Sequence, residues 1–141
     1  MKTSFIELGL RVAALTQIGV ALINLALIRI MKWKPDLERM PLLIREVFRI
    51  HCYFISITLG IFGIITWRFT PEIASAASGI AMWLATGIGV FWLMRSAMQW
   101  LHYSPAHWRG NGTRTAIHFA LFFGYGALAA VYLAAAFWRS V

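Results

Sequence analysis

Residues 115–138 read TAIHFALFFGYGALAAVYLAAAFW. No Asp, Glu, Lys or Arg interrupts the run, and its hydrogen-bonding side chains are few: Thr115, His118, Tyr125, Tyr132 and Trp138. A helix rises about 1.5 Å per residue, so about 20 mostly apolar residues cross a hydrocarbon core about 30 Å thick. This stretch is long enough and apolar enough to do so.

Three more stretches pass the same test: 8–31, 47–69 and 73–101. The fold class is therefore all-α integral membrane, a four-transmembrane-helix bundle, read as one membrane domain over residues 1–141. The third stretch exceeds the membrane thickness and is expected to tilt or protrude. Breakers sit between the runs. Pro35 and Pro41 mark the first connection, and Thr70-Pro71-Glu72 the second. Ser104-Pro105 and Gly110-Asn111-Gly112 mark the third. Pro71 suits the first turn of the helix that follows it.

Composition agrees. The chain of 141 residues is 60% hydrophobic and only 13% charged, against about 25% charged in soluble domains. So few charges cannot cover a water-facing surface of this size. The net charge of +8 comes mainly from residues placed between apolar runs. That pattern suits anionic lipid headgroups and gives no nucleic-acid surface. Cys52 is the single cysteine, so no intramolecular disulfide forms and a thiolate metal cluster is excluded. The first apolar run carries Glu7 and Arg11 and lacks a small-x-small cleavage pattern, so it reads as a permanent helix rather than a signal peptide.

Four spans place both termini on one side with the connection at 69–72. The opposite side carries Arg29, Lys32, Lys34, Arg39, Arg45, Arg49, Arg109 and Arg114. The terminal side carries Lys2, Arg11, Arg68 and Arg139. The excess of positive charge assigns the two longer connections to the cytoplasm and both termini to the outside, with a bacterial inner membrane as the expected location.

Helices in lipid associate by close packing, which small residues permit. Ala116, Ala120 and Gly124 form one such row on the fourth helix, and Ala81, Ala85 and Gly89 another on the third. Ser56 with Gly60 offers a third. Gln17 and Asn24 share a face of the first helix and are expected to bond between helices.

Polar side chains inside an apolar helix cost about 2.5–3.5 kcal/mol when charged, so they need a reason. Arg95, Gln99 and His102 fall at i, i+4, i+7 on the third helix and share a face. They read either as a stripe facing a site or as an arginine snorkelling to the interface. Arg114, His118, Tyr125 and Tyr132 make a stripe on the fourth helix, nearly opposite its small-residue row.

The topology puts His51, His102 and His118 on one membrane side, with His51 and His118 at similar depth. Two such histidines can ligate the iron of a b-type haem, with Arg49, Arg95 or Arg114 pairing its propionates. His51, His102 and His118 together can hold a transition metal. A quinone headgroup can also hydrogen-bond at that depth. Beside these stands a plain reading, in which amphipathic histidines gather at the interface for structural reasons. No covalent haem motif, HExxH, phosphate loop or nucleophile elbow is present.

The sharpest functional expectation is a small membrane redox or anchor subunit that holds b-type haem, a metal or a quinone near the cytoplasmic face. Its expected partners are membrane lipids and either other membrane subunits or further copies of itself. An oligomeric channel or transporter subunit and a structural or assembly subunit are the alternatives. The orientation is directly testable. Alkaline phosphatase fused to the C-terminus will be active in a bacterial host, and a C-terminal GFP fusion will be dark. The reverse pattern inverts the topology.

Overall fold

The computed structural model describes residues 2–137. Trp138 and Arg139, assigned above to the fourth span and the terminal side, lie outside the described residues. Among those residues the chain is all-helical. The long helices are α1 (Lys2–Leu25), α4 (Leu42–Arg68), α6 (Gly79–Leu101) and α7 (Gly112–Phe137). Three short helices join them: α2 (Leu27–Ile30), α3 (Lys34–Glu38) and α5 (Thr70–Ala74). The four long helices are long and apolar enough to cross a membrane. Their surfaces agree, since bulky apolar side chains such as Phe5, Leu43, Ile80, Trp83 and Leu101 stand exposed. A water-soluble monomer does not leave so much apolar surface uncovered.

Three boundaries differ from the sequence reading. The first long helix ends at Leu25 rather than near residue 31. There the Ala26 N–H is shared between the Ile23 and Leu22 carbonyls at 3.1 and 3.3 Å, the tightening typical of a helix end. The second long helix starts at Leu42 rather than near 47, directly after Pro41, whose carbonyl accepts the Arg45 N–H at 3.1 Å. Arg45, Glu46 and Arg49 hide this first turn from a reading based on apolarity. The stretch from 73 onward is not one over-long helix. Pro71 opens the short α5, the chain reverses at Ala76 with φ of 46°, and Ser78 restarts it. The Ser78 side chain accepts the Ala81 N–H at 3.2 Å, an N-cap that satisfies a free donor of α6.

The residues group into two compact units, 11–68 and 2–10 with 69–137. In the first, α1 beyond Arg11 runs antiparallel to α4. Asn24 Nδ2 donates to the Cys52 carbonyl at 3.0 Å and to Ser56 Oγ at 2.9 Å. Lower on α1, Gly63 faces Ala14 and Ile18, and Arg11 lies over the Trp67 ring at 5.4 Å. Ser56, Leu59, Gly63 and Thr66 are the buried residues of α4, so of the expected Ser56–Gly60 row Ser56 lies on the packing face, while Gly60 is only half-buried and Arg49 and Tyr53 are exposed. The connection tucks Leu37 inward and sets Trp33 edge-on to Phe48.

In the second unit, α6 and α7 pack along their lengths and α5 rests on both. Gly89 lets α6 approach Leu133 and Tyr132, and Trp92 stacks on Tyr125 at 5.3 Å. Ser96 Oγ donates to the Phe122 carbonyl at 2.9 Å. The buried face of α7 holds His118, Leu128, Ala129, Tyr132, Ala135 and Ala136. Its Ala116–Ala120–Gly124 row is exposed. Of the two opposed rows on this helix, the tyrosine–histidine row makes the contacts.

Gly63 is the tightest approach. An added Cβ would come within 2.9 Å of the Ala14 carbonyl oxygen and 2.7 Å of Ile18 Cγ1, and the carbonyl cannot move aside. Gly63→Ala will therefore cost about 1–3 kcal/mol by overpacking, read as a lowered unfolding midpoint in detergent. Gly60→Ala, whose Cβ meets nothing within 4 Å, will not lower it.

Candidate functional site

The site is built on α6 and α7 near the connection between them. Arg95 and Gln99 are one turn apart on α6 and so share a face. Arg95 Nη1 donates to Gln99 Oε1 at 3.3 Å. Its guanidinium also lies over the Tyr125 ring, 4.7 Å from the centroid, and Tyr125 is backed by Trp92. A cation over an aromatic face gains about 0.5–2 kcal/mol, more as water is removed. Arg95 is thus half-buried and engaged with α7.

Gln99 is 3% exposed and His118 4% exposed. Gln99 Nε2 and His118 Nδ1 lie 3.3 Å apart. The other face of the imidazole is covered by Trp108, whose ring is nearly parallel at 10° and 4.5 Å away. Phe119 and Trp100 complete the aromatic surround, 5.5 and 6.4 Å from His118.

Trp108 comes from the connection, which local bonds hold in shape. Pro105–His107 form a single 3-10 turn. The Trp108 N–H donates to the Pro105 carbonyl at 3.3 Å and the Arg109 N–H to the same carbonyl at 2.9 Å. Thr115 Oγ1 donates to the Trp108 carbonyl at 2.7 Å, tying the loop to α7. Gly110, at φ of 84°, takes the left-handed conformation that a side chain would oppose. Asn111 Oδ1 then accepts the Arg114 N–H at 3.0 Å and starts α7.

The donor inventory fixes the directions of this network. A guanidinium offers donors only, so Gln99 turns its oxygen to Arg95 and its NH2 to His118. His118 Nδ1 therefore accepts, and the neutral ring carries its proton on Nε2. This tautomer is assigned from the network, as is usual when hydrogens are not observed. Among the described residues, His118 Nε2 and Trp108 Nε1 are both buried without a hydrogen-bond partner. Unsatisfied buried polar atoms are rare enough in native proteins to need a reason.

Of the six residues singled out from the sequence, the structure joins Arg95 and His118 through Gln99. His102 caps the C-terminus of α6 through its backbone N–H, bonded to the Met98 carbonyl at 3.0 Å, and its side chain is exposed. Arg114 is exposed at the start of α7. Arg49 and His51 belong to the other unit and are exposed on α4. Among the described residues, no three His, Cys, Asp or Glu side chains gather as a metal ion would need. The residue that sequence reasoning missed is Trp108. It lies ten positions before His118 in a loop, where no helical periodicity connects the two.

Comparison with known proteins yields no family model, no curated protein and no solved structure that matches the chain.

Gln99→Leu will leave His118 Nδ1 buried without a donor. It will cost about 1–3 kcal/mol of stability, measured by unfolding in detergent. His102→Gln and Arg114→Gln, at exposed positions, will change stability by no more than about 0.5 kcal/mol.

Proposed function

We propose that this chain is a small integral membrane subunit of a redox system, set in a bacterial inner membrane, that holds a cofactor of the haem, metal or quinone class at the His118 end of α6 and α7. The observation that carries the reading is the His118 ring. It is buried in an aromatic surround, fixed from one side by Gln99 and Arg95, and left with an unpartnered ring nitrogen. A buried polar atom without a partner needs a reason, and a bound ligand supplies one. Placed on the side where the longer connections carry most of the arginines and lysines, the site faces the cytoplasmic interface.

The role of subunit, as opposed to a protein acting alone, is supported by the surface. The exposed Ala116–Ala120–Gly124 row lies on a helix whose opposite face is already packed. Small residues at four-residue spacing let a further membrane helix approach closely, whether from another subunit or from a second copy.

The deciding experiment takes the full chain purified in mild detergent. Its visible spectrum is recorded oxidised and dithionite-reduced, its metal content is measured, and an organic extract is analysed for quinones. A stoichiometric cofactor of any of the three classes supports the reading. Colourless, metal-free and quinone-free protein from cofactor-replete cells overturns it in favour of a transport or structural subunit.

A further inference from the structure

We propose that the ligand of this site is a carbonyl compound of the quinone class, held by hydrogen bonds from His118 Nε2–H and Trp108 Nε1–H. The inference rests on the redox-subunit reading and narrows it to one of its three classes.

Arg95 has five N–H donors and no acceptor. Its contact with Gln99 is made to Oε1, which leaves the amide NH2 to face His118 Nδ1. An acceptor at Nδ1 requires the proton at Nε2 in the neutral ring. An indole nitrogen is a donor only. The two unpartnered buried nitrogens of the stack, His118 Nε2 and Trp108 Nε1, are therefore both donors. Neither can satisfy the other.

A metal ion or haem iron needs the opposite polarity. A ligating imidazole presents a lone pair to the metal and donates from its other nitrogen, normally to a carbonyl or carboxylate. Here the other nitrogen already accepts from Gln99. Reversing it would turn the Gln99 NH2 toward the Arg95 guanidinium, donor against donor. An acceptor oxygen needs no reversal. A carbonyl oxygen has two lone pairs, and aromatic rings at Trp100, Phe119 and Phe122 around the stack suit a flat conjugated headgroup better than a hydrated one. Trp108 sits in the connection rather than in a helix.

Two sources of acceptor oxygen compete with a quinone: a phospholipid headgroup and a trapped water. Arg109, with its guanidinium 5.4 Å from the Trp108 ring, would help a phosphate. The experiment separates them. The full chain, labelled at histidine with carbon-13 and nitrogen-15, is examined by NMR in detergent. Decylubiquinone and menadione are then titrated in by calorimetry, and bound lipid is measured by mass spectrometry.

The expected result is the Nε2–H tautomer at His118 and saturable quinone binding. Gln99→Glu presents an acceptor to Nδ1 and so draws the ring proton there; measured above the pH at which NMR shows the ring neutral, it weakens binding about tenfold, the worth of one buried hydrogen bond. Trp108→Phe keeps the stack but removes the second donor, and weakens binding about as much. Unfolding midpoints identify a variant that has merely lost its fold, in which case the other decides. An Nδ1–H tautomer in the unmodified chain overturns the proposal. So does quinone binding that neither folded variant changes, or a site that releases phospholipid but binds no quinone. A haem spectrum or stoichiometric metal overturns it while leaving the redox-subunit reading intact. Failure of all three cofactor classes overturns both.

Discussion

A guanidinium can only donate hydrogen bonds, and Arg95 places one, half-buried, on a helix apolar enough to cross a membrane. Everything around it follows from that restriction. The positive charge is met by the Tyr125 ring face, since no carboxylate lies near in sequence on α6 or α7. One N–H is met by Gln99 Oε1, which removes the rotational ambiguity of the amide. The amide then removes the tautomeric ambiguity of His118. A chain of three side chains thus carries a direction, from a permanent donor at Arg95 to an outward donor at His118 Nε2. In water such order would be lost to competing solvent. In a low-dielectric surround each bond is stronger and an unmet one is costlier.

The other unit carries the same kind of polar chemistry in a different arrangement. Asn24 meets the Cys52 carbonyl and Ser56 Oγ, and Ser56 Oγ itself donates to the Cys52 carbonyl at 2.9 Å. The bonds close among themselves and join α1 to α4 where Gly63 already permits close approach. Interhelical bonds of this kind contribute about 0.6 kcal/mol on average, at most about 2. They fix register more than they stabilise. The network at His118 differs in one respect: it does not close. Among the described residues, two donors remain without a partner at its end, in the His118–Trp108 ring stack.

The number of spans, their rough limits and the turn-rich connections were legible in the sequence, because bilayer thickness imposes a length that apolar runs reveal directly. The limits failed where local chemistry overrode apolarity. Ala76 and the Ser78 cap divide a run that is mostly apolar, and Arg45 and Arg49 sit within the first turns of α4, helical despite them. Face assignment was half legible. Periodicity correctly grouped Arg95 with Gln99 and His118 with Tyr125 and Tyr132. It also placed His102 on the Arg95 face, but α6 ends at Leu101, so that face does not continue. Two small-residue rows were equally visible on α7 and its neighbour, yet only contact geometry shows that Ala81–Ala85–Gly89 packs and Ala116–Ala120–Gly124 does not. Trp108 was not legible at all, since a loop residue reaches its partner through turn geometry that no spacing rule encodes.

Counting histidines invites a metal, because imidazole is the commonest metal ligand. Counting valencies leads elsewhere. The same imidazole is a ligand or a donor according to which nitrogen its neighbour occupies, and the neighbour here is an amide held in place by an arginine. Replace that amide by a carboxylate and Arg95 still donates, but the neutral imidazole carries its proton on Nδ1 instead of Nε2. The chemistry available at His118 is therefore decided two hydrogen bonds away, at Arg95, by a side chain that makes no bond to the imidazole itself. In a protein with so few polar groups, each one's partner constrains the next. The identity of the group at the end of the chain is then a statement about what the last free atom can accept or give.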